Sequence, residues 1–190
     1  TFKDIVDYIT INISSPNTEN LRSFHENDKF DELLSSIEAE KKNLNSNIPI
    51  VVKISPDIKT NQINQISETL LKYQVEAIII SNTTEGNRES LKNQLKFQKG
   101  GLSGKPLELK SNQLINKFYN ILKGKIDIIG VGGVDSGKSA YDKFIAGASF
   151  IQLYTGMVYQ GPNIASKISK ELIEITKNHT VKNISELVGI

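Results

Sequence analysis

The sequence predicts an α/β chain of five strand–helix units around a parallel sheet, and three observations carry that expectation. Runs rich in isoleucine and valine recur at residues 8–13, 50–54, 77–80, 126–131 and 150–154, each of a length suited to a buried strand. Between them apolar residues return at three- and four-residue spacing, which is the period of an amphipathic helix. The strands also end in polar residues. The stretch INISSPNTENLR, from Ile11 to Arg22, passes from isoleucine into serine, proline and asparagine with no charge before Glu19.

Taken in order, the first strand alternates Ile9, Ile11 and Ile13 against Thr10, Asn12 and Ser14. A helix then follows through Phe30, Leu33, Leu34 and Ile37. The second strand sets Ile50, Val52 and Ile54 against Val51, Lys53 and Ser55, and a helix through Ile63, Ile66 and Leu70 comes next. After the third strand a long connection, residues 82–107, carries GGLSGKP and leads into helical spacing over 109–122. Connections of that length in compact domains are usually functional or disordered, and the glycine-rich segment favours function. The fourth strand enters IIGVGGVDSG and a helix over 136–145; the fifth ends QLYTG before a helix over 164–175.

Such alternation implies parallel strands joined by right-handed crossovers. In an open sheet with helices on both faces the strands would be apolar throughout. Here one face turns polar toward the strand end, as in a (β/α) barrel whose lumen carries chemistry at its carboxyl end. A full barrel of that kind needs eight strands and about 250 residues. Residues 1–190 are therefore expected to be the carboxyl-terminal portion of one TIM-barrel domain, about its last five units, cut so that two strand edges lack partners. The start at Thr1, without a methionine, agrees with a piece of something longer.

Composition narrows the function. With 23 basic and 21 acidic residues scattered along the chain, there is no basic stripe to follow a phosphate backbone, so nucleic acid is not expected as a partner. The absence of cysteine excludes a disulfide framework, thiolate zinc sites and a cysteine nucleophile. His25 and His179 lie far apart in polar surroundings; both read as solvated surface residues, and no metal site is expected. No run approaches the 18 or so apolar residues of a spanning helix.

Gly100, Gly101 and Gly104, then Gly130, Gly132 and Gly133, and finally Gly147 ahead of QLYTG make successive glycine-rich turns at strand ends. Glycine admits a phosphate close to the backbone, and a following helix offers free N–H groups. A tight turn alone would explain one such motif; motifs at consecutive strand ends favour a phosphate site, which barrels often place after their last strands. GGVDSGKS, residues 132–139, also satisfies the nucleotide-binding P-loop pattern. A P-loop enzyme needs an acidic residue ending another strand to hold magnesium, and NISS, KISP, ISNTT and LYTG supply none. Lys53, inside VVKIS, is either a snorkelling strand-edge lysine or a cation beneath a ligand that becomes anionic. Asn12, Asn17, Asn82 and Thr83 offer neutral donors and acceptors for a polar heterocycle, although amides are also common turn caps.

Together NISSPNT, VVKISPD, SNTT, GGLSGKPL, IIGVGGVDSGKSAYDKFIAGAS and QLYTG followed by GP resemble the dihydroorotate dehydrogenase family, class 2, over nearly the whole chain. The resemblance implies an FMN-binding barrel that oxidises dihydroorotate to orotate in pyrimidine synthesis and passes the electrons to a membrane quinone. It implies Ser15 as the catalytic base at C5, with the C6 hydride going to flavin N5. Asn12 would touch flavin and substrate, and Asn17, Asn82 and Thr83 the substrate. Lys53 would lie near the flavin N1 and C2 carbonyl; Ser81, Gly104, Gly133, Tyr154 and Thr155 would make further FMN contacts. Serine in place of cysteine as the base is what points to class 2 and to quinone. The missing amino-terminal part would hold the quinone tunnel and the membrane contact. The complete protein would then be a monomer, peripheral on the cytoplasmic side of the inner membrane, and this piece alone inactive or poorly folded. Rival readings are another FMN-dependent barrel oxidoreductase, a non-catalytic half-barrel module and a P-loop NTPase.

Overall fold

The structure is a computed structural model that describes residues 5–86, 88–89, 91–177 and 181–190. Its five strands are β1 Ile9–Asn12, β2 Ile50–Ile54, β3 Ala77–Ile80, β4 Asp127–Val131 and β5 Phe150–Gln152. All neighbours are parallel and the spatial order follows the chain, β1-β2-β3-β4-β5. Helices α1 Asn27–Asn43, α2 Thr60–Lys72, α3 Glu108–Leu122, α4 Gly137–Ala146, α5 Thr155–Gln160 and α6 Ile164–Thr176 fill the connections and the carboxyl-terminal end. This is the expected alternation, with α5 added.

Two strands stop earlier than their apolar runs. In β1 the Asn12 side chain accepts the Ser14 N–H at 3.3 Å, so the chain turns out of the ladder before Ile13. In β5 the Tyr154 carbonyl already accepts the N–H groups of Met157 and Val158, and the polypeptide has become helix.

The period-two alternation sorts the strand residues onto two faces. Ile13, Val52, Ile54, Ile78, Ile80 and Ile128 face the helices and meet Phe30, Leu34, Ile66, Leu70, Ile115 and Phe118 in one continuous core. Each such side chain contributes about 1.5–3 kcal/mol by leaving water. Val51, Ala77, Ile79 and Ile129 form a smaller cluster on the opposite face. Register aligns Asn12 with Lys53, Lys53 with Ile79 and Ile79 with Ile129, so a polar pair shares a row with apolar neighbours. β1 and β5 have one neighbour each, and exposed apolar residues accompany both: Ile5 and Tyr8 beside β1, Phe150, Val158 and Tyr159 around β5.

Local chemistry sets the helix ends. Ser136 caps α4 by a reciprocal box with Ser139, and Gly147 closes it at φ 115°, where a Cβ would lie 2.3 Å from the Tyr119 ring. Near the end of α1, Lys41 and Lys42 reach Glu76 at 3.4 Å and Glu38 at 2.7 Å. The connection from Asn82 to Leu107 is organised where it is described. Thr84 and Leu102 form an antiparallel bridge, and Arg88 donates to the carbonyls of Lys96, Gln98 and Gly100.

His25 corrects the sequence reading. It is 3% exposed, its Nε2 accepts the Ser55 N–H at 3.2 Å and its Nδ1 lies 2.9 Å from the Arg22 carbonyl. That pairing fixes a neutral ring with the proton on Nδ1, and burial holds it below the usual histidine value. His179 lies outside the described residues.

Lys143 was not anticipated. It is fully buried between α4 and α3, donating to Ser111 Oγ at 3.1 Å and Asn112 Oδ1 at 2.8 Å. Burial lowers its amine to about 8 from 10.5. Between those values the unfolded chain binds more protons than the folded one, so stability rises with pH across that window and carries the full burial cost below it. The stability of the parent protein relative to Lys143→Met should therefore increase by about 2 kcal/mol between pH 7.5 and 10 in urea unfolding. A pH-independent difference would contradict this account.

Candidate functional site

The carboxyl ends of the strands open into a cleft of about 880 Å³, within the range of small-molecule and cofactor sites. Lys53 of β2, the Ser81–Thr83 turn after β3, Gly104 before α3, Gly133 after β4, and Tyr154 and Thr155 after β5 all line it. The ends of four successive strands, β2 to β5, thus contribute to one space, because consecutive neighbours in the sheet bring their carboxyl ends side by side.

Lys53 is partly buried, and among the described residues no carboxylate pairs with it. Burial alone holds its ammonium below the usual lysine value. A cation left uncompensated in a cleft invites an electron-rich partner. Asn12 stands opposite it in register. The Asn12 side-chain oxygen accepts from Ser14 Oγ at 2.8 Å and lies 3.5 Å from Asn82 Nδ2, which donates to Ser14 Oγ at 3.0 Å. Asn82 in turn accepts the Thr83 N–H at 2.8 Å. Asn12 and Asn82 are therefore held in one network centred on the fully buried Ser14, a residue that the sequence reading passed over.

Asn12, Ser15 and Asn17 are not among the residues lining the cleft; Asn12 ends β1, and Ser15 and Asn17 lie in the loop that follows it. Ser15 Oγ accepts the Asn17 N–H at 3.2 Å and the Thr18 hydroxyl at 3.4 Å. Two donors on a serine oxygen stabilise developing negative charge there.

The glycines are sites of close approach. Gly104 has φ 77°, and a Cβ on it would lie 2.9 Å from Thr155 Cγ2. Gly133 has φ 80°, and a Cβ there would press on Glu108 at 2.4 Å. Thr155 Oγ1 donates to Ser103 Oγ at 2.9 Å, joining the GGLSGKP loop to the turn after β5. On the P-loop pattern, Gly137 N–H at the start of α4 donates to Glu171 of α6 at 2.5 Å, and Ser136 caps the same turn. A carboxylate of the protein therefore occupies the place a nucleotide phosphate would need. Among the described residues no cluster of three His, Asp or Glu side chains could hold a metal, and no helix is long and apolar enough to cross a membrane.

A second set of charges surrounds the site, and sequence reasoning missed it. Asp57 binds Lys110 and Thr84, each at 2.5 Å, together with Arg22 at 3.3 Å and the Glu85 N–H at 3.0 Å. Burial pushes its carboxyl up, but the hydrogen bonds from Lys110, Thr84 and Glu85 outweigh it and hold the carboxyl below its usual value. The partners lie far apart in sequence, so only the SPD turn hinted at it.

The family model described as dihydroorotate dehydrogenase matches residues 1–176. The dihydroorotate dehydrogenase (quinone) of Wigglesworthia glossinidia brevipalpis is 47% identical over 168 residues, 86% of this chain and 50% of that protein. Its counterpart in Trichodesmium erythraeum is 39% identical over 196 residues, 99% of this chain and 51% of that protein. The chain spans about half the length of the curated relatives it matches. A crystal structure of DHODH from Eimeria tenella in complex with ferulenol matches with a TM-score of 0.94 at 30% identity, covering 99% of this chain and 55% of the other. A five-unit parallel sheet that covers about half of such proteins is a partial barrel, and the chain belongs to the dihydroorotate dehydrogenase family.

Proposed function

We propose that the full-length protein containing this chain oxidises dihydroorotate to orotate on a bound FMN and delivers the electrons to a quinone, in pyrimidine biosynthesis. The observation that carries the reading is Lys53: a partly buried cation in the cleft, with no paired carboxylate among the described residues, opposite Asn12 and below the Asn82–Thr83 turn. FMN fits that surrounding. Its electron-rich N1 and C2 carbonyl edge suits the lysine, and Gly104 and Gly133 line the same cleft, where backbone without side chains suits its phosphate tail.

When bound, FMN supplies the acceptor for the C6 hydride and the route by which two electrons reach quinone. The residues do the rest. Lys53, Ser81, Gly104, Gly133, Tyr154 and Thr155 hold the cofactor, with Asn12 shared between it and the substrate. Asn12, Asn17, Asn82 and Thr83 present amide and hydroxyl groups to the pyrimidine ring and its carboxylate. Ser15 removes the C5 proton. A free serine is far too weakly acidic to ionise near neutral pH, so its oxygen needs help, and the Asn17 N–H and the Thr18 hydroxyl are placed to give it.

The remaining length of the protein would complete the barrel against the free edges of β1 and β5, beside which Ile5, Tyr8 and Phe150 are exposed. It would also bring the quinone site and a peripheral membrane contact on the cytoplasmic side of the inner membrane. The enzyme would work as a monomer, and residues 1–190 alone would be inactive.

Purified full-length protein should carry flavin absorbance, be bleached by dihydroorotate in stopped flow, and reduce quinone only when dihydroorotate is supplied. Flavin that dihydroorotate leaves oxidised would indicate a different substrate; protein without flavin would end the reading. Ser15→Ala should slow flavin reduction about 10²- to 10⁴-fold, the usual worth of a positioned base, while quinone reoxidation of the flavin stays unchanged. Lys53→Met should slow reduction at least about tenfold, because the charge that favours the reduced ring is gone.

A further inference from the structure

Asp57 sits in the turn after β2, and none of the roles proposed above falls on it. Its carboxylate takes four donors from outside that turn. Lys110 comes from α3, Thr84 and the Glu85 N–H from the segment after β3, and Arg22 from the segment after β1. Arg22 extends the connection. Its Nη1 also meets the Glu85 carboxylate at 2.8 Å, its Nε points to the Ser14 carbonyl and its Nη2 to the Thr83 carbonyl, both at 3.4 Å. One guanidinium thus reaches the residue before Ser15 and the backbone of Thr83. The carboxylates supply the strong grip, and the longer carbonyl contacts mark where the two loops rest.

Stability alone is a poor account of this arrangement. The Arg22 and Asp57 side chains are 25% and 22% exposed, and ion pairs near the surface are worth about 0–1 kcal/mol. What a planar five-donor fork on a shared carboxylate does well is fix geometry. The elements it fixes are the loop that carries Ser15 and the turn that carries Asn82 and Thr83. They approach a substrate from separate strand ends, and a displacement of about 1 Å between them costs a reaction about 10²-fold.

The geometry points to Arg22 and Asp57 as a pair of positioning residues that set the Ser15 loop against the Asn82–Thr83 turn for a dihydroorotate-type substrate. This role rests on the function proposed above. Lys110 and Thr84 anchor Asp57 from behind, and Arg22 transmits its position to the two backbones.

The test uses full-length, FMN-loaded protein with Asp57→Asn, Arg22→Gln, the double variant and the milder Arg22→Lys. The measurements are FMN content, stopped-flow reduction by dihydroorotate, reoxidation by quinone, orotate affinity from the flavin spectrum, and hydrogen exchange over residues 14–20. Each single variant should keep its FMN and its reoxidation rate, lose about 10- to 100-fold in reduction, bind orotate more weakly and exchange faster over residues 14–20. The double variant should be no worse than the worse single one, since the pair acts as a unit. Unchanged reduction, additive single effects, or parallel losses of FMN and both half-reactions would overturn the positioning role. If Asp57→Asn does not fold, Arg22→Lys decides: it keeps the charge and loses the fork, so reduction should still fall at least about fivefold. Wild-type protein that holds FMN but is not bleached by dihydroorotate defeats the proposed reaction instead. Hydrogen exchange in the variants then decides the pair by itself.

Discussion

A parallel strand has two faces to cover, and in this chain the division between them governs everything else. Isoleucine and valine on the helix side of β1 to β4 make a continuous core with α1, α2 and α3, and that core holds the strand ends still. The other face is then free to depart from hydrophobicity. Asn12 and Lys53 share its row with Ile79 and Ile129, an arrangement that would be costly in a face needed for stability. A one-residue slip of β2 would exchange Lys53 with Val52 or Ile54, placing the ammonium among Ile66 and Leu70 and removing it from the cleft.

Among the described residues two lysines have depressed proton affinity, and their surroundings separate their meanings. Lys143 is sealed between helices and satisfied by Ser111 and Asn112. Ser111 Oγ also donates to the Val131 carbonyl at 2.7 Å, which accepts the Ser81 N–H at 3.2 Å. That amine is a structural bolt behind the ends of β3 and β4. Lys53 opens on the cleft and has no counter-charge among the described residues. Burial lowers both, but only the second leaves charge for a ligand to answer.

Local signals were the legible ones. Isoleucine runs announced the strands, three- and four-residue spacing announced α1 to α4 and α6, and glycines at strand ends marked where the backbone lines the cleft. What escaped depends on residues distant in sequence. His25 looked solvated among Ser23, Glu26 and Asn27, yet an N–H from Ser55 makes it an interior acceptor. Arg22 and Asp57 lie 35 positions apart, and neither sits in a pattern that announces the other. Helix α5 was hidden for a different reason: six residues, TGMVYQ, are too few to display a helical period.

The strand order that follows the chain has a consequence for how this sheet comes into being. Each strand pairs with the one made just before it, so no strand must wait for a partner from the far end of the polypeptide. Loop closures stay comparatively short, and their entropic cost grows only slowly with length. Assembly can therefore advance one unit at a time in the direction of synthesis, each helix sealing the strand behind it. The β1 and β5 edges are then the two places where a sheet grown in this way can take on a further strand.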